Sequence, residues 1–397
     1  MRLILVTDTF PPLNNSGAVQ IRDLAFGFQE AGHQLTILVA SPQISTPWVI
    51  EEMVGIDVVR VKTPRFKDVS FIRRGLREFM MPFAMMRCLK NCALGDIHWD
   101  GIIWYSPSIF FGPLISYLKK NNACKTYLII RDIFPEWAFD IGLIKNSLLY
   151  FMLRKVAEYQ YSLADTIGIQ TPGNEKYFLD WKKKRNNQLE VLYNWISPPL
   201  SLHCSIDLSK SILSGKTIFV YAGNMGVAQN ISIFLELALL MREQHNIGFL
   251  FVGRGTELDS LRKSAVTNGL INTLFYDEIE SNEIQGLLLQ CHIGLIALDQ
   301  RHLSHNIPGK FLAYLNAGLP VLAQVNLNND LVNVINKYGV GQVNSSYSEK
   351  ELLYKANKLI FQIMNDDLSK KCQKLSRELF STQNAVKQII SGLIRKD

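Results

Sequence analysis

Along this chain, short apolar runs of strand length take turns with longer stretches whose apolar residues recur every three to four positions, the helical period. Residues 3–6 read as a strand, 19–31 as a helix ending at Gly32, and 35–40 as the next strand. Strands are expected again at 126–130, 166–170 and 191–194, with helices over 148–162 and 175–181. The run GIIWYSPSIFFGPLISYL (residues 101–118) nearly reaches membrane-spanning length, but Ser-Pro-Ser and Gly-Pro interrupt it, so it reads as a buried strand feeding a helix. A second series starts with the strand 217–222 and continues through helix 231–244, strand 248–252, helix 257–263 and a strand at 272–276. Residues 350–394 are helical in pattern, and a long terminal helix is expected to reach back to the first domain. Strands alternating with helices at this spacing specify an α/β protein with parallel sheets.

The clearest unit is GLIALDQRHLSHNIPGKFLAYLNAGLPVLAQ, residues 294–324. A buried strand leads into a polar loop with His302 and His305, then Pro308, Gly309 and Lys310, then a helix with Phe311, Leu312 and Leu315 inward. Gly318 stops the helix, and a second strand follows at 319–323. In a parallel sheet that loop lies at the carboxyl edge, and Lys310 stands beside a helix N-terminus, a combination suited to phosphate.

With 397 residues, two domains of about 200 residues each are expected. Apolar residues at 48% and charged residues at 19% describe a globular chain. Six cysteines form no CxxC pair, and the start MRLILVTDTF lacks a basic leader region, which points to reduced thiols and a cytoplasmic location. The net charge of +7 is concentrated: nine Lys or Arg fall between Arg60 and Lys90 against Asp68 and Glu78. Within residues 71–90, arginines mix with phenylalanines and methionines. Such a helix either lies on an anionic bilayer or packs on its own domain with a solvated basic face. No nucleic-acid partner is expected.

Four places carry candidate chemistry. The loop after the first strand offers Asn15, Ser16 and one Gly17 instead of GxGxxG, so it is either a backbone site for a phosphate or sugar or simply a turn. After strand 126–130 comes RDIFPEWAFDIG, where Arg131, Asp132, Glu136 and Asp140 crowd a strand end. Asp132 alternatively pairs with Arg131. Two glycine turns, Gly223-Asn224-Met225-Gly226 and Gly253-Arg254-Gly255, follow successive strands and suit a nucleotide diphosphate. The fourth is the Lys310 loop. His302 and His305 have no third ligand at a useful spacing, so no metal site is expected.

TPGN (171–174), VLYNW (191–195), YAGNMG (221–226), FVGRGTEL (251–258) and the stretch from PGK to AGLPVLA (308–323), together with EAGHQLTIL (30–38), resemble a GT-B glycosyltransferase of family 4. RDIFPEWAFDIG is most similar to the N-acetyl-L-fucosamine transferases of O-antigen and capsule synthesis. The resemblance implies a GT-B fold, two Rossmann-like parallel-sheet domains facing across a cleft. Their expected bounds are an acceptor domain at 1–196, a linker at 197–215, a nucleotide-sugar domain at 216–374, and a helix at 375–397 crossing back.

It also implies roles. Donor contacts would come from Gly17, Gly223, Asn224, Gly226, Arg254, His305, Asn306, Pro308, Gly309 and Lys310, and acceptor contacts from Asn15, Ser16, Arg131 and Asp140. Asp132, Lys310 and Glu136 would be catalytic. No cofactor or metal is implied: the chain has no DxD, so positive charge and helix dipoles would stabilise the leaving diphosphate. The implied reaction is retaining transfer from a UDP-sugar to an undecaprenyl-diphosphate-linked saccharide by an enzyme lying on the inner face of the plasma membrane. Two family features are missing, since His305 and Ala313 occupy the positions of the usual glutamates. The competing readings are a GT-B UDP-sugar 2-epimerase and an inactive nucleotide-sugar-binding assembly subunit.

Overall fold

A computed structural model describes the chain except residues 14, 66–70, 93, 96, 141, 183–186, 200, 300–306 and 396–397. It divides into two compact units, Met1–Trp195 with Thr382–Asp397, and Ile196–Ser381.

The first unit runs β1 (Arg2–Thr7), α1 (Ser16–Glu30), β2 (Gln34–Ala40), β3 (Trp48–Met53), β4 (Ile56–Val61), α2 (Phe71–Asn91), β5 (Gly101–Ser106), α3 (Gly112–Asn121), β6 (Lys125–Ile130), α4 (Glu136–Asp140), α5 (Ser147–Ser162), β7 (Thr166–Ile169), α6 (Leu179–Lys182) and β8 (Gln188–Val191). Its eight strands are ordered β3-β4-β2-β1-β5-β6-β7-β8, parallel except for β3. Alternation along β1 divides the core: Ile4 and Val6 face the layer that includes α2, α3 and α5, whereas Leu3 and Leu5 face α1. Residues 101–106 and 112–121 are the expected strand and helix, and no helix among the described residues is long and apolar enough to cross a membrane.

The second unit contains β9 (Thr217–Ala222), α7 (Ser232–Leu240), β10 (Ile247–Val252), α8 (Leu258–Thr267), β11 (Thr273–Tyr276), α9 (Ile284–Leu288), β12 (Ile293–Ala297), α10 (Gly309–Ala317), β13 (Val321–Gln324), α11 (Asp330–Tyr338), β14 (Gly341–Asn344), α12 (Glu349–Asn365) and α13 (Leu368–Leu379). Its parallel sheet is ordered β11-β10-β9-β12-β13-β14. The order reverses between β9 and β12, and in open α/β sheets ligands bind at such a switch point.

Several local expectations are corrected. Residues 172–178 form a 3-10 turn rather than the start of an α-helix, because Thr171 and Asn174 close a capping box across them. The strand expected at 191–194 lies at 188–191, on the sheet edge. Within 197–215, Leu208 and Leu213 are buried, so that stretch packs as part of the second unit. Residues 350–394 are three helices, and the last, α14 (Thr382–Ile394), packs on α1 and β6. Gly27 makes room for it, since a Cβ there would stand 2.6 Å from the Thr382 methyl carbon.

Candidate active site

At the switch point of the second unit, the turns after β9 and β10 are pressed backbone to backbone. Gly253 has φ +147, and a Cβ on it would stand 2.0 Å from the Gly223 carbonyl oxygen. Gly255, at φ +149, would place one 2.2 Å from the Met225 carbonyl oxygen. Only glycine fits both the conformation and the approach. Hydrogen bonds lace the turns: Gly223 N donates to Val252 O at 2.9 Å, Met225 N to Arg254 O at 2.7 Å, and Glu257 N to Met225 O at 3.0 Å. Gly226 N donates to the Gln229 side chain at 3.2 Å, and so does Asn224 Nδ2 at 2.9 Å. The amides of Gly223, Met225 and Gly226 thus all bond within the protein. Arg254 is exposed and 3.1 Å from Glu278, a surface pair worth about 0–1 kcal/mol.

Beside these turns is the head of α10. Pro308 caps the helix without a side-chain bond, and a Cβ on Gly309 would meet nothing within 4 Å. Phe311 N donates to Pro308 O at 3.0 Å, and Gly309 is exposed at the start of the helix. The Lys310 ammonium donates to the Tyr221 hydroxyl at 2.5 Å and stands 3.7 Å from the centre of that ring. Lys310 keeps some exposed surface, yet the dense protein around its ammonium disfavours charge and lowers the lysine to about 7. Gly223 is its neighbour, with an ideal Cβ 3.5 Å from Nζ. Tyr314 fixes the helix in place: its hydroxyl accepts from Ala222 N at 3.1 Å and donates to Leu295 O at 3.3 Å. Lys310, Gly309, Pro308 and Gly223 thus converge, while His302, His305 and Asn306 lie outside the described residues.

Sequence reasoning passed over Tyr221 and Tyr314. The signal was present, because a tyrosine in an apolar strand or on an inward helix face must satisfy its hydroxyl.

In the first unit, Asn15 is a helix cap, accepting from Ala18 N at 2.9 Å and Thr9 Oγ1 at 3.1 Å. Ser16 opens α1 on the surface. Gly17 is kept small by its surroundings, since a Cβ would lie 3.2 Å from Thr9 Cγ2 and 3.3 Å from the Tyr105 hydroxyl. Burial raises Tyr105 to about 12, and Arg131 counters this while Asp8 and Asp132 add to it, which places those three charges around one phenol. Arg131 Nη1 is buried with no hydrogen-bond partner among the described residues.

Glu136 and Asp140 belong to a separate group. Burial, first, raises the Glu136 carboxyl; Arg154 lowers it, and Asp140 and Glu158 raise it. Glu136 Oε2 is buried without a hydrogen-bond partner among the described residues, and Asp140 accepts from the Tyr177 hydroxyl at 3.4 Å. Of the four ionisable residues after β6, Arg131 and Asp132 thus act on Tyr105, and Asp140 acts on Glu136. Among the described residues, no three His, Cys, Asp or Glu side chains gather as a metal site.

Fold and sequence likeness together define the class, a glycosyltransferase of GT-B architecture. The sequence matches no protein-family profile. It is 23% identical over 350 residues to the probable glycosyltransferase WbjE of Pseudomonas aeruginosa, covering 86% of this chain and 84% of that one. The E. coli trehalose-6-phosphate structure bound with UDP-2-fluoro glucose superposes with a TM-score of 0.70, at 13% identity and complete coverage of both chains. WaaG, a glycosyltransferase involved in lipopolysaccharide biosynthesis, gives 0.63 at 13% identity, covering 98% of this chain and 99% of its own.

Proposed function

We propose that the protein is a retaining, metal-independent glycosyltransferase of family 4. It moves a sugar, with N-acetyl-L-fucosamine the leading candidate, from a UDP-sugar to an undecaprenyl-diphosphate-linked saccharide in O-antigen or capsule synthesis. The observation that carries this reading is the Lys310 ammonium at the open head of α10, which among the described residues has no carboxylate partner. A cation without a carboxylate partner among the described residues, at a helix N-terminus, answers the charge of a leaving diphosphate.

In the reaction, the bond from the anomeric carbon to the β-phosphate oxygen breaks and the acceptor oxygen bonds to that carbon on the same face. The acceptor proton passes to the departing phosphate, and UDP leaves. Lys310 stabilises the charge that develops on the phosphate. Asp132 orients the acceptor hydroxyl beside Arg131, while Glu136 and Asp140 line the acceptor side. The outer face of α2 supports work at a bilayer: Leu76, Phe79, Met80 and Phe83 are exposed alongside Arg73 and Arg74, with Arg77 half-buried beside them, while Met81, Met85, Cys88 and Leu89 anchor the helix in the core.

The test is to incubate the purified protein with a panel of UDP-sugars and a short-chain lipid-diphosphate saccharide and weigh the product. Acceptor-dependent gain of one sugar mass is expected. Epimerised UDP-sugar without acceptor, or no reaction with any donor, would contradict the reading.

A further inference from the structure

The Tyr221 hydroxyl, which accepts from Lys310, has already given its own proton to the Asn224 carbonyl oxygen at 2.6 Å. It therefore presents only lone pairs to the ammonium, and the direction of the chain is fixed, from lysine through phenol to the turn after β9. Burial raises Tyr221 well above the ordinary tyrosine range, so the phenol is neutral at physiological pH. A neutral oxygen and a ring face orient an ammonium without cancelling its charge, and they release it more readily than a carboxylate would. Tyr314 provides the contrast: equally buried, it bonds Ala222 and Leu295, and so holds the helix without touching the ammonium.

We propose that Tyr221 is a positioning residue for the donor diphosphate, holding the Lys310 ammonium uncancelled at the head of α10 and linking it through the Asn224 carbonyl to the glycine turn. This rests on reading Lys310 as the diphosphate-binding group. When a diphosphate enters, the ammonium keeps the phenol oxygen on one of its three hydrogens and turns the others to phosphate, and no ion pair has to break first. The cation and the turn, separated by 87 positions between Gly223 and Lys310, are thereby set in one geometry before the donor arrives.

Calorimetric titration of UDP into wild type, Tyr221→Phe, Lys310→Met and the double variant tests this. Tyr221→Phe is expected to raise Kd about tenfold, the scale of one charge-assisted hydrogen bond. Lys310→Met should raise it about a hundredfold, and the double variant should bind no worse than Lys310→Met alone. A phenol that merely supports the fold would add its own loss in the double variant. That additivity, or unchanged affinity in a Tyr221→Phe protein with wild-type urea midpoint, overturns the proposal.

If wild type binds no UDP, or Lys310→Met binds as well as wild type, the reading of Lys310 falls and this proposal with it. A failure confined to Tyr221→Phe leaves Lys310 standing. Proton NMR of the unmutated protein gives a second measure that needs no variant: the Lys310 ε-methylene should be shifted upfield by the ring and stay so as UDP is added. An unshifted resonance in the free protein overturns the proposal.

Discussion

Burial sets the charge state of Lys310, because among the described residues no opposite charge offsets the cost of placing an ammonium there. Its value of about 7 lies below the ordinary lysine range, so the free protein holds this group part neutral near neutrality. A bound diphosphate favours the charged form. UDP affinity should therefore be full below pH 7 and fall up to about tenfold per pH unit above it. Titrations between pH 6 and 9 check this, and Lys310→Met should flatten the profile; a pH-independent wild type would contradict it. Stability runs the other way: the native state binds fewer protons than the unfolded chain between about 7 and the usual lysine value, so stability should rise with pH across that window. The sequence made Lys310 legible because Pro-Gly-Lys stood at a helix start after a strand. Tyr221 and Tyr314 were hidden in apolar runs, where pattern shows burial but not what a hydroxyl meets.

At the scale of elements, the glycine turns were visible as turns, and their purpose was not. Composition reveals where the backbone is free to adopt positive φ, and only the fold reveals what approaches the bare Cα. In this protein another turn makes the approach. Gly253→Ala should cost more than about 2 kcal/mol, since it adds a steric clash with Gly223 to an unfavourable φ, and UDP affinity should fall with it. Urea denaturation measures the first effect, and a wild-type midpoint would contradict the packing described. The strands β3 and β4 were not anticipated from pattern. β3 is an antiparallel edge strand with Glu51 and Glu52 exposed, so it lacks the continuous apolar run that marked the central parallel strands. β8 was misplaced for a related reason, because an edge strand that is only half buried constrains its register weakly.

For the whole molecule, the alternation of strand and helix made two α/β units legible, but not where the chain passes from one to the other. The passages, at Trp195–Ile196 and Ser381–Thr382, run side by side, with Ile196 N donating to Phe380 O at 2.8 Å. A pairing between residues so far apart in sequence has no local signal. Of residues 71–90, one face of α2 is core and the other exposes apolar and cationic side chains together, the face proposed to meet a bilayer. Each cation near an anionic surface contributes about 1 kcal/mol, so replacing Arg73, Arg74 and Arg77 with glutamate should lower binding to vesicles containing phosphatidylglycerol at least about a hundredfold. Cosedimentation reads this directly, and unchanged partitioning would remove α2 as the docking surface.

The central claim concerns where the donor diphosphate binds, and a crystal structure with UDP tests it most directly. The β-phosphate should accept from the Gly309 and Lys310 amides and from Lys310 Nζ, with the ammonium still held on the Tyr221 hydroxyl. A diphosphate seated away from the head of α10, with Lys310 making no contact to it, would contradict the account.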